Sequence, residues 1–104
     1  MVKKINEQEF NSEAKAADVA VVDFSATWCG PCRMLAPVVE AVSEEYEGKV
    51  SFYNVDVDEC PDLAAEYRVQ SVPNLVLMKK GQFVDQSIGF RPQAAVSGWV
   101  KSNL

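Results

Sequence analysis

The chain has 104 residues, of which 48% are hydrophobic and 24% charged, a composition typical of one globular domain with its own core. A formal net charge of −5 argues against binding to nucleic-acid phosphates or to anionic membranes, because both require clustered Lys and Arg. No apolar stretch approaches the ~20 residues of a membrane span, and no apolar segment follows Lys3 and Lys4 as in a signal peptide. We therefore expect residues 1–104 to form one domain with a cytoplasmic location, where stable structural disulfides are rare.

Strands and helices are predicted to alternate along the chain. Asn6 and Glu9 have the spacing of a capping box at a helix start, and the near-continuous apolar run at Val19–Ala26 is typical of a strand buried on both faces. Lys80 and Gly81 separate two strand-like runs, as in a β-hairpin. The predicted elements, in chain order, are a strand at Val2–Ile5, a helix from Asn6 to about Ala17, a strand at Val19–Ala26, a helix from about Pro31 to Tyr46, a strand at Val50–Val57, a helix from Pro61 to Tyr67, the hairpin, and a helix from Pro92 to about Ser102.

This order predicts an α/β fold with a central mixed sheet. Strands that alternate with helices pair in parallel through right-handed crossovers, whereas the last hairpin adds antiparallel strands. We expect about five strands flanked by about four helices, with helices on both faces of the sheet. A fold class of this kind supports many functions, so the function has to be argued from particular residues.

Two cysteines, Cys29 and Cys32, are separated by Gly30 and Pro31 at the predicted junction of a strand and a helix. Open α/β sheets carry their sites at the C-terminal ends of strands, and a helix N-terminus favours an anion. Cys29 is therefore expected to be a nucleophilic thiolate at neutral pH. Cys32 lies one helical turn further on, where we expect it to be more buried and able to attack a mixed disulfide on Cys29. The pattern predicts a cycle of thiol-disulfide exchange.

Two other interpretations of the pair stay open at this point. The pair could be half of a zinc site, although structural zinc uses four ligands, the chain has no histidine, and Cys60 is the one further cysteine. The two thiols could also be unrelated core residues, which the neighbouring Trp28, Gly30 and Pro31 disfavour. Cys60 itself is interpreted as a free structural cysteine, with regulatory oxidation or disulfide-linked dimerisation as the alternative.

The segment Trp-Cys-Gly-Pro-Cys at Trp28–Cys32, taken with Asp23 in its apolar strand, resembles the thioredoxin family, and the resemblance extends over essentially the whole chain. It implies the thioredoxin fold and a thiol-disulfide oxidoreductase that serves as a protein-disulfide reductase and dithiol electron carrier. In such a cycle Cys29 attacks the target disulfide and Cys32 resolves the mixed disulfide. The product is an oxidised Cys29–Cys32 pair.

Asp23 interrupts an apolar strand, where a charge is costly unless it is paired or neutralised. From the residues alone, it is either an acid near a strand end with access to water or a desolvated carboxyl with a raised pKa. The resemblance favours the second interpretation and implies that Asp23 accepts the proton of Cys32. It also implies that Gly30 and Pro31 set the reduction potential of the pair.

The resemblance further implies an apolar docking surface for client proteins around the cysteines. The Val72-Pro73 step matches the cis-proline of the family, and the backbone of Val72 is expected to pair with an extended client segment. The residues implied to bind substrate are Trp28, Val72, Pro73, Ile88, Gly89 and Phe90. From the residues alone, Trp28 could equally be a core aromatic and Gly89 a turn glycine.

The implied partners follow from the same family. No metal and no bound cofactor are expected, since the redox group is the cysteine pair itself. Recharging is expected from thioredoxin reductase, which uses NADPH and FAD, and the expected clients include ribonucleotide reductase and peroxiredoxins. The protein is expected to act as a monomer, without nucleic acid or membrane. The alternative function is a docking or chaperone module of the same fold in which redox chemistry is incidental.

Four positions depart from the family pattern. Ser25 stands where many members have tryptophan, and Asn54 stands where lysine or glutamate is common, which bears on the protonation of Asp23. Asn74 follows the predicted cis-proline where threonine is common. Phe90 replaces a small residue beside the docking surface. These last two positions bear on the choice of partner.

Overall fold

The computed structural model describes all 104 residues, and a five-stranded mixed sheet forms its centre, as the order of elements predicts. The strands are β1 (Val2–Lys4), β2 (Val19–Ser25), β3 (Ser51–Asp56), β4 (Asn74–Lys79) and β5 (Gln82–Ile88). The helices are α1 (Glu7–Glu9), α2 (Gly30–Glu45), α3 (Pro61–Glu66) and α4 (Gln93–Ser102), and a π-helical turn (Phe10–Ala14) directly follows α1. Each helix is too short or too polar to cross a membrane.

β2 lies at the centre of the sheet, whose strand order is β1-β3-β2-β4-β5. Both β1 and β2 pair in parallel with β3, whereas β4 is antiparallel to β2 and β5 is antiparallel to β4. The strands of the parallel pairs are connected through helices, and the antiparallel pair of β4 and β5 is the hairpin, whereas β2 and β4 pair antiparallel although they are not consecutive in the chain. The C-terminal end of β2 therefore lies between two paired strands, and the loop that follows it is held at the edge of a rigid sheet.

Alternate side chains of β2 enter two separate cores. Val21 packs with Leu35 of α2 and with residues of α4, whereas Phe24 packs with Phe10 and Leu63 on the opposite face. One face of the sheet is thus covered by α2 and α4, and the other by α3 and the segment from α1 to the π-helical turn. This arrangement explains the continuous apolar run, because a strand covered on both faces needs apolar residues at nearly every position.

The first helix is shorter than the sequence predicts. Its capping box forms, since the Glu9 amide donates to Asn6 Oδ1 (2.8 Å) and the Asn6 amide donates to Glu9 Oε1 (3.1 Å). The helical segment then widens into the π-helical turn and ends at Ala14 rather than at Ala17, so the predicted end was wrong. Phe10 and Ala14 are both fully buried, and packing against the sheet therefore outweighs helix propensity in this segment.

The predicted hairpin forms, and β5 is an edge strand. Lys80 and Gly81 make its turn with φ of +49° and +79°, the left-handed geometry that matches the twist of two-residue hairpins. On one face, β5 is tied to α4, because Trp99 Nε1 donates to Asp85 Oδ2 at 3.0 Å. On its other face no helix lies over the strand, and large apolar side chains remain exposed there.

A β-bulge interrupts the pairing of the hairpin. Leu77 pairs with Asp85 and Met78 pairs with Phe83, which leaves Val84 as one additional residue in β5. The bulge shifts the alternation of side chains by one residue. Phe83 therefore lies on the same face of β5 as Gln86 and Ile88, whereas in a regular strand it would lie on the opposite face.

Candidate active site

The cysteine pair lies where β2 passes into α2, as the sequence predicts. Cys29 is the N-cap residue of α2, and its Sγ accepts a hydrogen bond from the Cys32 amide at 3.2 Å. Pro31 stands within the first helical turn, where it has no hydrogen bond to lose. The sulfur of Cys29 is thus held against the unpaired N–H groups at the positive end of a 16-residue helix.

Cys29 and Cys32 are joined as a disulfide, with their Cα atoms 5.2 Å apart. Each residue is 5% exposed, which differs from the prediction that Cys32 is the more buried. The N-cap position explains the difference, because it turns the Cys29 side chain back over the first turn and into a small cluster with Ala26 and Cys32. Cys29 Sγ also lies 3.7 Å from the carbonyl oxygen of Val72.

The charges near the pair favour an anion on Cys29. The first turn of α2 contains no acidic residue that would oppose the helix dipole. Arg33 is exposed, and its guanidinium donates to the Thr27 carbonyl oxygen at 2.9 Å, which holds a positive charge beside the loop. A thiolate formed at Cys29 on reduction would therefore be stabilised by its surroundings.

Asp23 lies in β2 on the face covered by α2, and it is only 4% exposed. Its Oδ1 has no hydrogen-bond partner. Burial raises the pKa of this carboxyl from an ordinary value of 3.8 to about 7, and the Asn54 side chain acts in the opposite direction. The Asn54 amide donates to Ser25 Oγ (2.8 Å) and to the Asp23 main-chain oxygen (3.2 Å) rather than to the carboxyl, so burial is the larger effect.

Among the residues expected to bind substrate, Trp28 directly precedes the disulfide and Val72 packs against it. The Val72-Pro73 peptide bond is cis, and Pro73 accepts a hydrogen bond at its carbonyl oxygen from the Gly89 amide (2.8 Å). This bond links the cis-proline step to the end of β5. Three of the predicted side chains are exposed and Val72 is half-buried, whereas Pro73 is buried. The exposed fractions are 68% for Trp28, 56% for Ile88 and 42% for Phe90.

Two residues near the site were not predicted from the sequence to belong to it. Trp28 is held by its Nε1, which donates to Asp58 Oδ2 at 2.8 Å. Nothing in the local pattern marks Asp58, because the contact joins two loops that are thirty residues apart. Met34 is 60% exposed and adds apolar surface on α2. Its spacing of three residues from the exposed Pro31 is the signal that could have identified it.

Residues 1–102 match the family model for thioredoxin. The chain is 47% identical over 92 residues to the thioredoxins of Staphylococcus aureus strains Mu50 / ATCC 700699 and NCTC 8325 / PS 47, and the alignment covers 88% of this chain and of each relative. The chain belongs to the thioredoxin family. Its fold is similar to that of a solved mutant thioredoxin from Halobacterium salinarum NRC-1, with a TM-score of 0.88 and 35% identity over 97% of this chain and 88% of the other.

Membership of the thioredoxin family and the joined cysteines identify a thiol-disulfide oxidoreductase that acts as a protein-disulfide reductase. The predicted fold and function are both confirmed. The docking or chaperone module is not favoured as the function. No group of three or more His, Cys, Asp or Glu residues is arranged to hold a metal ion.

Three of the residues that depart from the thioredoxin pattern, Ser25, Asn54 and Asn74, make hydrogen bonds with neighbouring side chains. Ser25 and Asn54 hydrogen-bond to each other on the face of the sheet that carries Asp23, as described above. Asn74 is 2% exposed, and its Nδ2 lies 3.5 Å from Gln86 Oε1 while its Oδ1 has no partner. Each of these departures replaces a bulky or charged family residue, or a threonine, with a small neutral polar group.

Proposed function

We propose that this thioredoxin reduces protein disulfides with Cys29 as the nucleophile and Cys32 as the resolving cysteine. The observation that carries the proposal is the position of Cys29 Sγ at the start of α2, where it accepts the Cys32 amide hydrogen bond at 3.2 Å. A sulfur in that position gains most when it is negatively charged. Cys32, one turn further into the helix, has no equivalent free position.

The cycle conserves atoms and electrons. The Cys29 thiolate attacks one sulfur of the client disulfide, a mixed disulfide forms, and the other client sulfur leaves as a thiolate. Cys32 gives its proton to Asp23 and attacks Cys29 Sγ. The Cys29–Cys32 disulfide forms and the second client sulfur is released. The client gains two electrons, which the cysteine pair loses.

Asp23 is proposed as the proton acceptor for Cys32. A carboxyl whose pKa is about 7 is partly ionised at neutral pH, so it can accept a proton and then release it again. Its Oδ1 has no other hydrogen-bond partner to compete for that proton. Gly30 and Pro31 are proposed to set the reduction potential, because they determine how the two sulfurs approach each other.

The client is proposed to dock on the apolar surface beside the disulfide. The residues assigned to this docking surface are Trp28, Val72, Pro73, Ile88, Gly89 and Phe90. An extended client segment would pair with the main chain of Val72, whose carbonyl oxygen is already 3.7 Å from Cys29 Sγ. The hydrogen bond from Trp28 to Asp58 supports this role, because it holds a large exposed ring in one orientation.

The partners are proposed from the family. Members work with thioredoxin reductase and disulfide-bearing clients, and we infer an NADPH- and FAD-dependent reductase here, with ribonucleotide reductase and peroxiredoxins among the clients. The location is proposed to be the cytoplasm and the acting form a monomer. No cofactor beyond the cysteine pair enters the cycle.

Reduction of insulin with dithiothreitol as the donor tests the proposal. We expect rapid turnover by the native protein, loss of turnover in Cys29→Ser, and normal turnover in the control Cys60→Ser. After reduction and removal of dithiothreitol, the Cys32→Ser variant should accumulate a stable mixed disulfide with insulin, which mass spectrometry detects. If Cys32→Ser rather than Cys29→Ser fails to form the adduct, the two roles are reversed.

A further inference from the structure

The face of β5 that no helix covers continues away from the docking surface. Ile88, Gln86 and Phe83 point to this face, because they pair with Asn74 and with two strand residues that enter the core beneath α3. Ile88 is 56% exposed and Phe83 is 50% exposed. The row starts beside the cis-proline step and runs away from the disulfide along an edge strand.

A groove of about 440 Å³ lies along the far part of this row, between β5 and the end of α3, and it is the largest cavity of the molecule. Its lining residues are Glu66, Tyr67, Arg68, Phe83 and Gln86. Gln86 lies two residues before Ile88, so the groove is continuous with the docking surface along one strand.

The charges in the groove are uneven. Glu66 lies 3.9 Å from Lys15, so its carboxylate already has a cation beside it. Arg68 is exposed and has no carboxylate within salt-bridge distance. Behind Gln86, the buried Asn74 keeps one oxygen without a partner. The groove therefore offers an apolar wall, amide groups and one free positive charge.

The length of the row along β5 indicates how much of a client chain could lie between the attacked disulfide and the groove. At about 3.3 Å per strand residue, the row from Ile88 to Phe83 is roughly 15 Å long. An extended segment of about five residues spans that length. A client segment that leaves the attacked disulfide past Ile88 would thus reach Phe83, which lines the groove together with Arg68, about five residues further on.

We propose that this groove, here called the β5 groove, binds the segment of a client protein that flanks the attacked cysteine. The segment is extended, places apolar side chains on Ile88 and Phe83, and pairs a carboxylate with Arg68. The inference rests on the proposed function, and it adds a preference for acidic over basic flanking sequences. A second copy of the chain is a poorer occupant, because the bulge at Val84 interrupts the regular edge that strand pairing needs.

The test uses synthetic peptides of about twelve residues with one cysteine in a mixed disulfide with 2-nitro-5-thiobenzoate. One series of peptides carries Asp at successive positions about five or more residues after the cysteine and another carries it about five or more residues before, since either chain direction fits the groove. Each has a twin with Lys in place of Asp, and a short peptide lacks the extension. Release of the coloured thiolate from pre-reduced protein gives the second-order rate constant.

With the native protein, one Asp peptide is expected to react about threefold to fivefold faster than its Lys twin, the scale of an exposed ion pair. The advantage should shrink as salt is added. Arg68→Glu should reverse the preference, whereas Lys101→Glu, with the same charge change on exposed α4, should not. Phe83→Ala should slow both extended peptides about threefold, and Leu104→Ala, which removes a similarly exposed side chain, should not.

Equal rates for every Asp and Lys pair would overturn the β5 groove as a client site. So would reversal by Lys101→Glu, which would show that overall charge decides, or a change of oligomeric state in Arg68→Glu or Phe83→Ala, which would show a second copy in the groove. The short peptide separates the two proposals. If it is not reduced at all, the proposed function fails, whereas normal reduction without any effect of the extension removes the groove alone.

Discussion

Two cysteines of this chain begin helices and differ in nearly everything else. Cys29 precedes α2 and Cys60 precedes α3, and each helix has proline in its first turn. Their exposed fractions are almost equal, at 5% and 6%. Sequence position and burial alone would therefore assign the two thiols the same reactivity.

The surroundings separate them. Cys29 accepts a hydrogen bond from the helix it caps, in a helix start without acidic residues, whereas the Cys60 side chain makes no capping bond. Burial first, and the Glu59 carboxylate second, raise the pKa of the Cys60 thiol, and together they outweigh a backbone hydrogen bond from Glu7 that acts in the opposite direction. A helix N-terminus thus activates a thiol only where the sulfur reaches the amides and no acid opposes them.

Alkylation of the reduced protein with iodoacetamide at pH 7 tests this difference most directly. Cys29 is expected to react on the order of a thousandfold faster than Cys60, because Cys60 lies within a core cluster and reacts only after local opening. Peptide mapping by mass spectrometry at short times gives both rates. Similar rates would mean that Cys60 is a second reactive thiol and that the contrast does not hold.

The buried acid on the α2 side of the sheet gives the next largest effect. Since the pKa of Asp23 is about 7 when folded and ordinarily 3.8, the folded chain binds the proton more tightly than the unfolded chain. Stability therefore falls as pH rises from about 4 to about 7, and the loss of about 4 kcal/mol persists above that range. Asp23→Asn should recover most of it at pH 8 and little at pH 4.

Urea unfolding of the oxidised protein at both pH values measures the Asp23 effect. Asp62→Asn, at an exposed position of α3, is the control and should change stability little at either pH. A gain in Asp23→Asn that is equal at pH 4 and pH 8 would contradict a raised pKa. The same variant should slow resolution of the mixed disulfide, while alkylation of Cys29 stays near the native rate.

Removing the Cys60 side chain should affect stability and not activity. Cys60→Ala is expected to cost about 1 kcal/mol, because a small apolar group leaves a packed core. Cys60→Ser should cost more, since it buries a hydroxyl. Insulin reduction should stay within about twofold of the native rate, as expected for a change outside the site. A large loss of activity in Cys60→Ala would assign Cys60 a role in the cycle.

The smallest expected effect concerns the acids around Cys60. Glu59→Gln removes the charge that, after burial, does most to raise the pKa of the Cys60 thiol, and should therefore lower that pKa slightly, because Glu59 is exposed and its charge is screened by water. The ¹³Cβ chemical shift of Cys60, followed with pH, reports the change. Glu44→Gln, an exposed acid on α2, should leave that titration unmoved. If both variants move it equally, the local acids are not the cause.

Much of the fold could be predicted because it depends on local patterns. The apolar run before the cysteines, the Asn6–Glu9 capping box and the turn at Lys80 and Gly81 each have a short-range physical cause, and all three formed as expected. The predicted end of the first helix at Ala17 was wrong, because burial of its apolar side chains decides where the helix ends and that burial depends on distant strands.

The features of the site also differ in whether a short-range sequence pattern predicts them. The spacing of the two cysteines predicted that Cys29 lies at the start of α2. It could not predict that both cysteines are equally buried, because this depends on the Cys29 side chain folding back over the first turn of the helix. The contact between Trp28 and Asp58 joins loops that no periodic pattern relates. The β5 groove depends on one inserted residue, Val84, and on the absence of a helix over that strand.

The bulge at Val84 also has a consequence for the protein in a crowded solution. An edge strand with exposed Phe83 and Ile88 is the kind of surface on which chains add to one another and aggregate. The additional residue breaks the regular ladder of free amides and carbonyls in the middle of that edge. The protein can thus keep an exposed apolar edge strand available to other proteins without offering a regular edge on which further copies of the chain would add and aggregate.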